Sequence, residues 1–123
     1  MSGFETDYRL PRILSKSDDP PNHRLLLEIL PELDCFEGHF PGNPVLPGVV
    51  QLHWAIIISL SLFGFRDAPL EIKQLKFKNA VIPPATLELT LCKLTEHEVR
   101  FEYASPGQQH SQGQLIFIQT SPC

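Results

Sequence analysis

At 123 residues the chain suits a single domain, one large enough to bury roughly two thirds of its unfolded surface. A hydrophobic fraction of 42% argues against disorder, and a formal net charge of −4 leaves no overall basic footprint for nucleic acid. Cys35, Cys92 and Cys123 are far apart and lack zinc-finger or disulfide-framework spacing, so no metal site is expected. Cys35 reads as a small buried apolar residue.

Residues 1–9 read as a poorly ordered lead-in without the basic and apolar regions of a signal peptide, which implies a reduced, cytoplasmic protein. Leu10 to Leu14 suits a short extended piece, and Ser15 to Asn22, with Asp18-Asp19-Pro20-Pro21, reads as a turn or loop. Arg24 to Leu30 reads as a strand with Leu25, Leu27 and Ile29 on one face; its continuous apolar character also fits a helix, and Pro31 ends the run either way.

Residues 31–47 then form a loop holding Phe36-Glu37-Gly38-His39-Phe40-Pro41-Gly42-Asn43-Pro44-Val45-Leu46-Pro47, with prolines spaced by three. Each proline fixes its own φ and pushes its predecessor toward extended geometry, so the loop is stiff. It carries one histidine and runs into Gly48, where a helix start offers unpaired N–H groups to an oxyanion. Gly48 to Phe63 is too long for a typical strand and suits a helix of about 24 Å. It is apolar nearly all round, which predicts burial; Gln51 and His53 interrupt it too early for a bilayer span, and Gly64 closes it.

Downstream, apolar residues recur with period two. Leu70-Glu71-Ile72-Lys73 leads into Leu75-Lys76-Phe77-Lys78, followed by alternation at Leu87, Leu89 and Leu91, at Val99, Phe101 and Tyr103, and at Leu115 and Phe117. Turns fall at 82–84, 95–97 and 105–107. Half-buried strands joined by short turns predict one antiparallel sheet, wrapped around the single helix in an α+β domain spanning residues 1–123. Its open edges invite edge-to-edge pairing with another subunit.

The stretch from Gly38 to Val49, with all three prolines, closely resembles the signature of the hotdog-fold β-hydroxyacyl-[acyl carrier protein] dehydratases of the FabA/FabZ type. Leu75 to Pro84 resembles that family's next strand and turn, and the similarity runs over residues 24–119. Pro47-Gly48-Val49-Val50-Gln51-Leu52-His53-Trp54-Ala55 is similar to the ApeI-type branch associated with aryl polyene biosynthesis.

The resemblance implies a hotdog fold and a homodimer with active sites shared across the interface. It implies a substrate held on the phosphopantetheine of an acyl carrier protein, with no further cofactor and no membrane. His39 takes the role of base at the substrate α-carbon. The Gly48 amide, with that of Val49 nearby, polarises the thioester carbonyl. The family's helix carboxylate is missing: its position carries His53, and no Asp or Glu lies between Gly38 and Phe65. Dehydration needs a base at the α-carbon and a proton donor at the leaving oxygen, and an imidazolium can be that donor. Two further readings stand beside this one: an acyl-thioester-binding subunit that is non-catalytic or works with a related hotdog partner, and an acyl thioesterase.

Other residues keep two readings each. Phe36 and Phe40 line the pocket or the core, Gln51 meets substrate or holds the loop, and Trp54 lines an acyl tunnel or fills the core. Lys73, Lys76 and Lys78 form a docking patch for an acidic carrier protein or a solvated strand face. His23, His97 and His110 read as surface residues.

Overall fold

The computed structural model describes residues 10–32 and 44–118. Six strands form one antiparallel sheet: β1 (Arg12–Asp19), β2 (Asn22–Ile29), β3 (Glu71–Phe77), β4 (Ala85–Thr95), β5 (Glu98–Ser105) and β6 (Gln108–Ile116), in the order β1-β2-β4-β5-β6-β3. Among the described residues there is one helix, α1 (Gly48–Phe63), which packs on one face of this sheet. Its bounds are those expected, and Gly64 ends it in the left-handed region, at φ 75°, with its N–H bonded to the Leu60 carbonyl.

Alternation in the central strands builds the core. Leu25, Leu27, Ile29, Leu87, Leu89, Leu91, Val99, Phe101, Tyr103 and Leu115 are all buried against the helix. One cross-strand row positions the candidate site: Leu25 opposes Leu89, Leu89 opposes Tyr103, Tyr103 opposes Ser111, and Ser111 opposes Phe77. Opposed residues share a face, so this row carries the core from β2 across to β3.

Two strand predictions need correction. Ser15 to Asp19 is not loop: β1 runs through it, and the turn is confined to Pro20-Pro21. Every β1 residue is exposed, so burial imposes no alternation, and the strand is held by its pairing with β2. In β3 the apolar residues shift phase, from Leu70 and Ile72 to Leu75 and Phe77. A β-bulge between Lys73 and Lys76 absorbs that shift, with Gln74 at φ 53°.

The helix is also less enclosed than its composition predicts. Val50, Gln51, Trp54, Ala55 and Ile58 face the sheet and are buried, whereas Val49 is 67% exposed and His53 and Leu60 are half-buried. At 100° per residue the last three lie on one stripe beside the buried Ile56, and Leu60 also packs against the core. The sheet therefore buries one side of an apolar helix, and among the described residues the side that carries Val49 is only partly covered. Both sheet edges, β1 and β3, are likewise exposed.

Candidate active site

The start of α1 is held from three directions. Pro47 sits at the N-cap with extended backbone, and its carbonyl accepts from the Val50 and Gln51 amides. The Leu46 N–H donates to the Val81 carbonyl at 2.9 Å, tying the proline-rich loop to the segment before β4. Among the described residues no side chain caps the helix, and no acid lies in its first turn. Helix geometry leaves the first N–H groups without intrahelical acceptors, so this end presents partial positive charge.

Gln51 fixes that end to the sheet. Its side-chain amide donates to the Leu46 carbonyl at 3.3 Å, its Oε1 accepts from Ser111 Oγ at 2.6 Å, and its backbone carbonyl accepts from the Tyr103 hydroxyl at 2.8 Å. Burial pushes the Tyr103 phenol well above its ordinary range, which keeps it a neutral donor.

Beside this end lies a cleft of about 430 Å³, with Gly48, Val49, Gln51 and Leu46 on one side and Phe77, Lys78, Asn79, Ala80 and His110 on the other. Phe77 packs directly on Gly48: a β-carbon there would lie 2.6 Å from Phe77 Cε1. Only glycine admits this approach without the ring moving.

The sequence-predicted residues fall into three groups. Gly48, Val49, Gln51 and Lys78 line the cleft. His53 lies on the outward stripe of α1, Trp54 is fully buried in the core, and Lys73 and Lys76 lie outside the cleft on β3. Those two lysines share the outer sheet face, because Gln114 and Gln112, which oppose them, are two apart on β6. His39, Phe36 and Phe40 lie outside the described residues, as do Cys35 and residues 1–9.

His110 is not a surface residue. It is 4% exposed, with Nδ1 3.0 Å from the Asn79 carbonyl oxygen and Nε2 2.7 Å from Ser105 Oγ. A bulge explains the error: Tyr103 opposes Ser111 while Ala104 opposes Gln109, so His110 is an extra residue on β6. In an even strand two neighbours point to opposite faces, yet here both His110 and Ser111 are buried. His23 and His97 are half-buried, the former bonded to Asp18 at 2.7 Å.

Among the described residues, one helix on one six-stranded antiparallel sheet, its glycine-led start opening on a cleft, defines a hotdog-fold protein. The chain belongs to the ApeI-like family, described as ApeI dehydratase, whose model matches residues 15–114. Among solved structures, the dehydratase heterocomplex ApeI:P from Xenorhabdus doucetiae contains a chain 28% identical, with a TM-score of 0.82, over 90% of this chain and all (100%) of that one. A dehydratase domain from the CurF module of curacin polyketide synthase, 18% identical with a TM-score of 0.66, covers 91% of this chain and 45% of its own and shares the fold. The 3-hydroxyacyl-[acyl-carrier-protein] dehydratase FabZ of Haemophilus influenzae (strain PittEE) is 34% identical over 71 residues, which is 50% of this chain and 47% of that protein. FabZ of Latilactobacillus sakei subsp. sakei (strain 23K) is 43% identical over 70 residues, 50% of each chain. The chain thus spans about half the length of the curated relatives it matches. Among the described residues, no helix is long and apolar enough to cross a membrane.

Proposed function

We propose that the chain removes water from β-hydroxyacyl thioesters carried on the phosphopantetheine of an acyl carrier protein, giving the trans-2-enoyl thioester. The observation that carries this reading is the uncapped helix start, closed against Phe77 at Gly48 and open to the cleft. A thioester carbonyl placed there meets oriented N–H groups where negative charge develops as the α-proton leaves. His39 takes that proton. The Cβ–O bond then breaks, and His53, as imidazolium, gives a proton to the departing hydroxyl, which leaves as water. Return of the proton from His39 to His53 through solvent restores the starting state. Two imidazoles in one desolvated pocket resist double protonation, which keeps one as base and one as acid.

The outward stripe of Val49, His53 and Leu60 and the exposed edge strand β3 suit a second hotdog subunit. A second copy would bring its own His53 toward the first chain's cleft. His53 in place of a carboxylate, together with the ApeI:P heterocomplex among similar structures, favours one further reading, a subunit that turns over only beside a related hotdog chain.

Purified chain incubated with a β-hydroxyacyl thioester on a carrier protein, with enoyl formation followed by mass, separates the two. Enoyl product that vanishes in both His39→Ala and His53→Ala supports the paired mechanism. Full turnover by His53→Ala rules it out. Tight binding with product only after a related subunit is added supports the partner-dependent reading.

A further inference from the structure

We infer that His110 is a positioning residue that sets the Lys78–Ala80 wall of the cleft, an assignment that rests on the proposed thioester site. The geometry is a two-way clasp. The His110 carbonyl accepts from the Lys78 N–H at 2.8 Å, and the His110 ring holds the Asn79 carbonyl through Nδ1 at 3.0 Å. A carbonyl only accepts, so Nδ1 carries hydrogen and donates, while Nε2 pairs with the Ser105 hydroxyl. Ser105, at the end of β5, thus orients a ring that reaches across β6 to the opposite wall.

The neighbouring residue holds the other side. Ser111 bonds Gln51, which bonds the Leu46 carbonyl. Consecutive residues of one bulge therefore fix both walls, His110 the Lys78–Ala80 side and Ser111 the Leu46–Gly48 side. An even strand would turn one of these two side chains to the outer face, so the bulge is what sets the width of the cleft. The Gln109 carbonyl, bonded by Asn79 Nδ2 at 2.7 Å, adds a third tie to the same wall.

The two conservative replacements of histidine separate this role from mere burial. In His110→Asn the side-chain amide nitrogen stands where Nδ1 stood and can still donate to the Asn79 carbonyl. In His110→Gln the amide reaches the Nε2 position, keeps Ser105 and loses the wall. Steady-state kinetics on the β-hydroxyacyl thioester and backbone amide exchange at Lys78 and Asn79 are measured on the full chain. His110→Gln should raise KM about tenfold with kcat within about twofold, the size of one hydrogen bond, and should speed exchange at both amides. His110→Asn should recover most of both, and Ser105→Ala, the mildest variant, should raise KM about threefold. Equal behaviour of the Asn and Gln variants, or wild-type KM and exchange in His110→Gln, overturns the assignment. Should the wild-type chain neither bind the thioester nor form enoyl product with or without a related subunit, the thioester reading fails while the exchange difference between the two variants still decides the role of His110.

Discussion

The Phe77 ring rests on the backbone of Gly48, so near that a β-carbon on Gly48 would stand 2.6 Å from Cε1 and 2.8 Å from Cζ. This contact closes the end of the cross-strand row that begins at Leu25 and fixes where the helix start meets β3. Phe77 is 53% exposed, so its ring has room to swing. Gly48→Ala should therefore displace the ring rather than break the fold, and alanine's better helix propensity offsets part of the strain. The expected outcome is a melting temperature within about 5 °C of wild type, a stability change under about 1 kcal/mol. Enoyl formation should nonetheless fall at least tenfold, about 1.4 kcal/mol of transition-state stabilisation. Thermal melts and kcat/KM on the same preparation check both halves. A fully active variant would remove Gly48 from the site.

Gln51 is expected to matter through the loop it holds. Gln51→Leu keeps the volume but strands Ser111 Oγ and the Leu46 carbonyl in a buried setting. Each orphaned polar group costs about 1–3 kcal/mol, so denaturant melts should show a loss of about 2–4 kcal/mol. Adding Ser111→Ala removes one of the orphans. The double variant should then be about 1 kcal/mol more stable than Gln51→Leu alone, a non-additivity that independent sites would not show.

The helix and the central strands are legible because their signals are local and agree with burial. Pro47 and Gly64 bracket an apolar run, and alternation in β4 and β5 marks one buried face. Even the bulge in β3 leaves a trace, since the apolar phase slips between Ile72 and Leu75. Three features leave no such trace. β1 is exposed along its length, so nothing patterns it. The stretch Gln108-Gln109-His110-Ser111-Gln112 is polar throughout, and only the register of β6 against β5 reveals that His110 turns inward. The apolar circumference of α1 predicts burial without saying that the sheet supplies only half of it. Within the candidate site, Gly48 and Gln51 are therefore readable from sequence, whereas Phe77, Tyr103 and His110 depend on pairing between distant strands.

Tyr103 makes a prediction at alkaline pH. Burial raises its phenol well above the ordinary 10.0, so the folded state favours the neutral form more than the unfolded state does. A group raised on folding contributes stability that is fully present below the unfolded value and lost as pH rises from there through the folded one. Wild-type stability should thus fall as pH climbs above about 10. Tyr103→Phe should be less stable by about 1 kcal/mol at neutral pH, through loss of the bond to the Gln51 carbonyl, yet flatter on the alkaline side. Chemical denaturation at pH 7 and above pH 10 checks the crossover. Parallel curves for the two proteins would assign the alkaline loss to other groups.

The lysines of β3 test the carrier-protein proposal. Lys73 and Lys76 lie on the outer face, in cross-strand rows that continue through Gln114 to Arg100 and through Gln112 to Glu102. If an acidic carrier docks there, Lys73→Glu with Lys76→Glu should raise KM for a carrier-bound substrate about tenfold at low salt, with less effect at high salt. A coenzyme A or pantetheine thioester should be used as before. Equal loss with both substrates would show that these lysines act through β3 itself rather than through docking.

The last prediction concerns what covers the outward stripe of α1. Val49, His53 and Leu60 form an apolar stripe interrupted by one imidazole, beside the exposed edge strand β3, and a partner subunit would bury both. Alone in solution the chain should sediment at about twice its 13.9 kDa mass. Leu60→Glu puts a charge into that stripe and leaves the cleft-lining residues untouched; because Leu60 also packs against the core, a thermal melt on the same preparation shows that the variant folds. An unpaired charge in such an interface costs several kcal/mol, enough to return the chain to a single copy at micromolar concentration. Turnover should fall together with association, because His53 then has no second cleft to reach. A single-copy Leu60→Glu variant with undiminished enoyl formation would place the acid within one chain and exclude a site shared between subunits.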